Sequence, residues 1–237
     1  MRCAVFPPSS TTLNSFRSVQ SSISRSTCRI NAMSEDHQHI SPWYDQLKES
    51  LKRNDKARES RYFQIATVDE SGRPCNRTVV YRGFLQRGGG VDQNTLTFVT
   101  DRRSSKVAHL AREPHAEIAW YFPVTREQYR ISGIVHVVQD GDADMARARE
   151  IAWKNMSDPG RQQFLWPHPG LERSGADEVQ YTTKKYPGKD SPVAPDFCLC
   201  CVHALRVDHL SLKSNERFEY SRTDISEHIW SSARVNP

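Results

Sequence analysis

The chain has 237 residues, 26% of them charged and 37% hydrophobic, which suits one medium globular domain or two small ones. No apolar run approaches the roughly 20 residues of a membrane-spanning helix, so no membrane partner is expected. The net charge of +5 is concentrated at the N-terminus, where residues 1–34 carry Arg2, Arg17, Arg25 and Arg29, many Ser and Thr, and no acidic residue. That composition predicts an organelle transit peptide over residues 1–33, with the chloroplast as first destination and the mitochondrion second. Taking these four charges from +5 leaves +1, so the basic balance gives no reason to expect a nucleic-acid partner.

The folded domain is expected over residues 42–237. Trp43, Leu47 and Leu51 recur every four positions and predict a helix from Trp43 to Arg53. Tyr62–Val68 and Pro74–Arg82 read as two strands of a hairpin around the turn Asp69–Gly72. The Gly-rich segment Gln86–Asn94 reads as a loop, and Leu96–Thr100 as a short strand. Ser104–Arg112 reads as a helix that Ser104 can cap. Two strands, Glu117–Phe122 and Glu127–Val138, precede a helix over Asp144–Lys154. From Asp158 to Pro195 the density of Pro, Gly, Lys and Asp predicts a long irregular excursion. Two strands, Phe197–Leu205 and His209–Leu212, then lead into a polar tail. Many short strands with few, peripheral helices indicate a mainly β fold, a barrel or sandwich.

Cys198 and Cys201 have the spacing of a metal or redox pair, but they sit in the apolar run Phe197–Val202, and no second pair completes a zinc site. Core packing is the better reading, and no metal is expected. His109, His115, His136 and His203 are candidate haem ligands only as isolated residues.

Three segments carry chemistry. In Arg77–Arg82, arginines at both ends of an apolar strand call for an anionic partner or an exposed strand end. In Thr100–Lys106, a strand end runs into a helix, bringing free N–H groups, the helix dipole, hydroxyls and a lysine together, as a phosphate site requires. In Glu127–Gly133, Gln128 can offer an amide, donor and acceptor together, to a heteroaromatic ring.

In order and spacing these segments resemble the pyridoxamine 5′-phosphate oxidase family. Arg77-Thr-Val-Val-Tyr-Arg82 is similar to its R-x-V-L-L-K strand, and Phe98-Val-Thr-Asp-Arg-Arg-Ser-Ser-Lys106 to its F-x-T-x-x-x-S-R-K segment. Arg126-Glu-Gln-Tyr-Arg-Ile-Ser-Gly133 is similar to its E-R-Q-V-x-x-x-G strand. Trp120-Tyr-Phe122, Thr125–Arg130 and Phe164-Leu-Trp-Pro-His-Pro-Gly170 resemble a cyanobacterial-type flavin-binding subgroup of this class. The resemblance spans about residues 42–215 and implies an FMN-binding split β-barrel that works as a homodimer with FMN at its interface. It implies that Arg77 and Lys106 hold the FMN phosphate with Ser104 and Ser105. The backbone of Thr78, Val79 and Val80 would lie against the flavin ring, with Thr100 close to the ribityl chain or the ring. Gln128 would reach the ring from the other subunit, and Arg82 and Arg217 would contact a small-molecule substrate.

The departures from the family pattern fall at the substrate end. Ser105 replaces an arginine, and the stretch Leu210–Arg217 lacks the family's tryptophan and keeps Arg217 alone of its arginines. The implied activity is FMN-dependent oxidation of pyridoxamine or pyridoxine 5′-phosphate to pyridoxal 5′-phosphate, with oxygen as acceptor. The alternatives are an FMN-dependent reductase acting on another substrate, or a non-catalytic flavin- or haem-binding module.

Overall fold

The computed structural model describes residues 41–87, 90–175, 177–182, 188–224 and 229–237. Residues 1–33, read above as a transit peptide, lie outside them. Helix α1 (Tyr44–Arg53) buries Trp43 and Leu47 completely. Asp45 in its first turn and Lys52 and Arg53 in its last match the helix dipole. Asn54 ends it, its amide donating to Ser50 O at 2.7 Å and its side-chain oxygen accepting from Val124 N at 2.9 Å.

Strands β1 (Tyr62–Val68) and β2 (Pro74–Val80) form the expected hairpin. In its turn, the Asp69 carboxylate accepts from the backbone N–H groups of Ser71 and Arg73, both at 2.9 Å. β2 stops at Val80, two residues short of the expected Arg82. There the chain changes partners: Tyr81 N donates to Arg61 O, while Arg82 N donates to Thr97 O at 2.9 Å. Gly83, at φ 101°, turns the chain into β3 (Phe84–Gln86), which pairs with β4 (Val91–Asp101).

The remaining strands are β5 (His115–Phe122), β6 (Glu127–Val138), β7 (Phe197–Ser211), β8 (Glu216–Asp224) and β9 (Ile229–Val235). The antiparallel path runs β2-β1-β5-β6-β7-β4-β3. Its two end strands are joined by only Tyr81–Gly83, so the sheet curls on itself as a barrel. Inside it pack Phe63, Phe98, Trp120, Phe122 and Tyr129, each essentially without exposure. Burial of each such side chain is worth about 2 kcal/mol. Helices α2 (Ser105–Arg112), α3 (Ala146–Lys154), α4 (Asp158–Gln162) and α5 (Asp177–Thr182) are peripheral, and a 3-10 turn, Gln163–Leu165, follows α4 directly.

Four expectations need correction. The segment Gln86–Asn94 is a hairpin rather than a loop, with Gln86 opposite Val91. Its polar residues can be strand because Thr95 bonds Asp92 at 2.8 Å and His203 at 2.9 Å, and Asn94 accepts from Trp230. Strand β7 runs unbroken through Arg206 and Asp208, since both find charged partners across the sheet in Glu219, Arg130 and Arg217. The polar tail is the hairpin β8–β9; Tyr220 is buried and donates to Gln46 at 3.0 Å, while Phe218 and Trp230 pack on the core. The excursion contains α4, the 3-10 turn and α5, and Ser157 caps α4 by accepting from Gly160 N.

Gly133 sits at a bulge where β6 shifts register against β7 between Ser132 and Gly133. A Cβ there would lie 2.3 Å from His203 O, so no larger residue fits.

Candidate functional site

A cavity of about 300 Å³ opens between β2, the end of β4, the start of α2 and the segment Met156–Pro169. Arg77, Thr78, Val79 and Val80 line it from β2, and Thr100, Ser104 and Lys106 from the strand-to-helix junction. Arg82 lines it as well. The structure therefore gathers in one place eight residues that the sequence singled out.

Alternation along β2 turns Arg77 and Val79 inward. The Arg77 guanidinium donates to Thr67 Oγ1 at 2.7 Å and Ile65 O at 3.3 Å, so it is braced by the neighbouring strand β1. Lys106 Nζ donates to Thr100 Oγ1 at 2.9 Å and to Ser104 Oγ at 3.0 Å. Ser104 in turn donates to Asp101 O at 2.8 Å. The nearby Asp101 carboxylate is held by Arg103 at 2.7 Å. Among the described residues no carboxylate pairs with Arg77, Arg82 or Lys106.

The electrostatic consequence is specific. Burial, then the neighbouring Arg77 guanidinium, pushes the Lys106 ammonium below the ordinary lysine range. Burial lowers Arg77 and Arg82 too. Lys106 in the first turn of α2, with Arg77 and Arg82 lining the same cavity, gives three partly buried cations that no carboxylate pairs with among the described residues, which makes an anion site. A terminal phosphate such as that of FMN fits this chemistry. Arg77 and Lys106 would supply the charge, Ser104 a hydroxyl, and Thr78–Val80, on the strand that ends the sheet path, an edge for a ring. When bound, FMN supplies the redox chemistry, while the protein supplies position and electrostatics.

Three expected site residues lie elsewhere. Ser105 begins α2 but is exposed and does not line the cavity. Gln128 lies on β6 between Tyr121 of β5 and Leu210 of β7, away from its own chain's cavity. Arg217 is bonded to Asp208 at 2.9 Å and to Glu219 at 3.3 Å. Asp208 is buried, and its carboxylate needs both Arg217 and Arg130. That engagement, within the sheet β6–β7–β8, sets Arg217 apart from the cavity.

The sequence reading did not assign Met156, Gln163, Phe164 and Pro169, which form the wall opposite β2. The stretch Phe164–Gly170 was a signal for two of them. Trp153 packs between Phe164 and Phe197 at centroid distances of 5.9 and 5.2 Å. Trp166 lies against Tyr181, and its carbonyl accepts from Arg103 at 3.1 Å.

The haem candidates have other engagements: His109 with Thr67, His115 with Glu113, His136 with Asp142 and His203 with Thr95. Cys198, Cys200 and Cys201 are buried free thiols. Burial pushes Cys198 up to about 11 and Cys201 up to about 12, which keeps them protonated core residues. Among the described residues no cluster of three metal-ligating side chains occurs, and no helix is long and apolar enough to cross a membrane.

Fold and site together define a split β-barrel flavoprotein with a phosphate-binding cleft. Residues 40–139 match the family "Pyridoxamine 5′-phosphate oxidase, FMN-binding domain". Pyridoxine/pyridoxamine 5′-phosphate oxidase 2 of Arabidopsis thaliana is 36% identical over 203 residues, 84% of this chain and 98% of that protein. A pyridoxine/pyridoxamine 5′-phosphate oxidase of Ectopseudomonas mendocina is 31% identical over 102 residues, but only 43% of either length is covered. Among solved structures, a pyridoxamine 5′-phosphate oxidase-related, FMN-binding protein of Nostoc punctiforme is 40% identical. Its TM-score is 0.75, over 84% of this chain and 99% of that one. PhzG of Burkholderia lata, at 19% identity and a TM-score of 0.62, shares the fold. The chain belongs to the pyridoxamine 5′-phosphate oxidase-like family of FMN-binding proteins. Its cofactor is FMN, and its class is that of FMN-dependent oxidoreductases.

Proposed function

We propose that this protein oxidises pyridoxamine or pyridoxine 5′-phosphate to pyridoxal 5′-phosphate, with oxygen as the electron acceptor. The observation that carries the reading is the trio Arg77, Arg82 and Lys106 in one cavity, without a carboxylate partner among the described residues. One phosphate, that of FMN, accounts for Arg77 and Lys106; a phosphorylated substrate accounts for Arg82. The identity to the Arabidopsis oxidase along nearly its whole length supports the same reading. In it the residues bind and orient: Lys106, Arg77 and Ser104 fix the cofactor's tail, β2 sets the plane of the ring, and Arg82 places the substrate.

The working form is a homodimer. Gln128 sits outside its own chain's cavity, as a residue serving the partner's flavin would. Around it Tyr121, Val124 and Leu212 expose large apolar side chains, at 46%, 65% and 40%, as an unpartnered interface would. Residues 1–33 direct the chain to the plastid, where this composition is read as an address.

The test is anaerobic addition of pyridoxamine 5′-phosphate to the yellow, FMN-loaded protein. Bleaching of the flavin, with recovery of colour on admission of air, is expected. A flavin that stays oxidised contradicts the reading. It would favour an FMN-dependent reductase acting on another substrate. That second reading has one observation behind it, the engagement of Arg217 with Asp208 rather than with the cavity.

A further inference from the structure

The wall facing β2 lies beyond the matched FMN-binding domain, which ends at residue 139. It is nonetheless a built surface. Arg161, almost fully buried, donates to the carbonyls of Trp153 and Met156 and pairs with Asp158. Phe164 packs edge-on against Trp153 and Phe197. At the far end Arg103 donates to Trp166 O at 3.1 Å. Gly160 lies so close to Met156 that an added Cβ would come within 2.9 Å of its terminal methyl. The 3-10 turn Gln163–Leu165 is thus fixed at both ends and presents Gln163 and Phe164 to the cavity.

The cations across from this wall are not equivalent. Lys106 is tied to Thr100 and Ser104 at the start of α2, and burial and Arg77 both act on it. Arg82 stands apart. Besides the main cavity it borders a small crevice against α3, lined by Ile151, Ala152 and Asn155. Asn155 and Met156 lead directly into the wall. Arg82, Gln163 and Phe164 line the same cavity, so a ring whose anion sits on Arg82 shares that cavity with an amide and an aromatic side chain. Gln163 is the amide side chain of that cavity, a donor and an acceptor in one group.

We propose that Gln163, backed by Phe164, is a specificity-determining contact that reads the polar edge of a phosphorylated heteroaromatic substrate held by Arg82. The inference rests on the vitamin-phosphate reading above, and it assigns to the Met156–Pro169 segment the choice of substrate rather than the holding of flavin. Gln163 is exposed to solvent, so a ring substituent that hydrogen-bonds it gains about the net value of one hydrogen bond over an analogue lacking that group.

The full-length, FMN-loaded protein and its Gln163→Leu and Gln163→Asn variants would be titrated with pyridoxal 5′-phosphate, following the perturbation of the flavin spectrum. FMN dissociation constants would be measured alongside. In Gln163→Leu, the affinity for pyridoxal 5′-phosphate is expected to fall about tenfold, the value for one hydrogen bond, and FMN affinity to stay within about twofold. Gln163→Asn should recover part of the loss. Oxidation of pyridoxamine 5′-phosphate should show the change in KM with kcat nearly kept. Equal affinity for pyridoxal 5′-phosphate in wild type and Gln163→Leu overturns the assignment, as does a loss confined to FMN. A wild-type flavin spectrum that does not respond to the compound at all overturns instead the vitamin-phosphate reading, and the assignment with it.

Discussion

Replacing Lys106 by Met separates binding from folding. The methionine keeps the apolar stem and removes the ammonium, which donates at 2.9 and 3.0 Å to two hydroxyls and has no carboxylate partner among the described residues. A charge-assisted bond to phosphate is worth about 1.5–3 kcal/mol, so the FMN dissociation constant should rise roughly 10- to 150-fold. Folding of the FMN-free protein should not suffer, because Lys106 is held there against burial and against Arg77. The sign of its pH dependence follows. A lysine with a folded value below its usual 10.5 binds fewer protons folded than unfolded, so stability rises with pH in the window that ends there. Quenching of FMN fluorescence measures the affinity, and urea unfolding of FMN-free protein from pH 7 to 10 measures the stability. Wild type should gain stability along that range more steeply than Lys106→Met, and added FMN should flatten the difference. An FMN affinity within twofold of wild type, or a variant that loses more than about 2 kcal/mol of stability, would refute the reasoning.

Gln128→Ala should alter the bound flavin's spectrum without moving the unfolding midpoint; an unaltered spectrum counts against its reach across the dimer. Gly133→Ala should cost about 3 kcal/mol by urea unfolding, because the added methyl meets the His203 carbonyl rather than a side chain that can move; a loss below 1 kcal/mol would show that the bulge can relax. Burial tends to raise the Asp208 carboxyl, but hydrogen bonds from Arg217 and Arg130 outweigh it and hold the group below the usual range. Its stabilisation is therefore present above the ordinary carboxyl value and lost as pH falls through the lowered one. Asp208→Asn should cost about 2 kcal/mol at pH 7 and lose less stability than wild type on acidification to pH 3. Parallel acid curves would exclude that role.

Much of the barrel was legible in the sequence, and the reason is period. The alternation of Phe63, Ile65 and Thr67, of Ile118, Trp120 and Phe122, and of Tyr129, Ile131 and Gly133 marks strands with one buried face. The segments that escaped are those whose polar residues are satisfied by partners remote in sequence. Asn94 and Thr95 look like loop until Trp230 and His203 are placed beside them. Arg206 and Asp208 look like a strand break until Glu219 and Arg130 face them. In β8 the inward residues Phe218 and Tyr220 alternate with charges, a two-residue period hidden by its polar composition. The cluster of Arg77, Ser104 and Lys106 in one cavity was legible because these residues lie on two short stretches. Of the remaining lining, Phe164 and Pro169 fall in a stretch that the sequence marked, whereas nothing local to Met156 or Gln163 announces a place in the cavity. Arg217 lies outside its own chain's cavity because a buried carboxylate, Asp208, engages it across the sheet.

The central claim is that FMN is seated by its phosphate in the cavity between β2 and the start of α2. A crystal structure of the protein saturated with FMN tests it most directly. The expected result is phosphate density within hydrogen-bonding distance of Lys106 Nζ and the Arg77 guanidinium, with the ring along Thr78–Val80 and a partner chain's Gln128 at its edge. Flavin bound with its phosphate away from both cations would contradict the account.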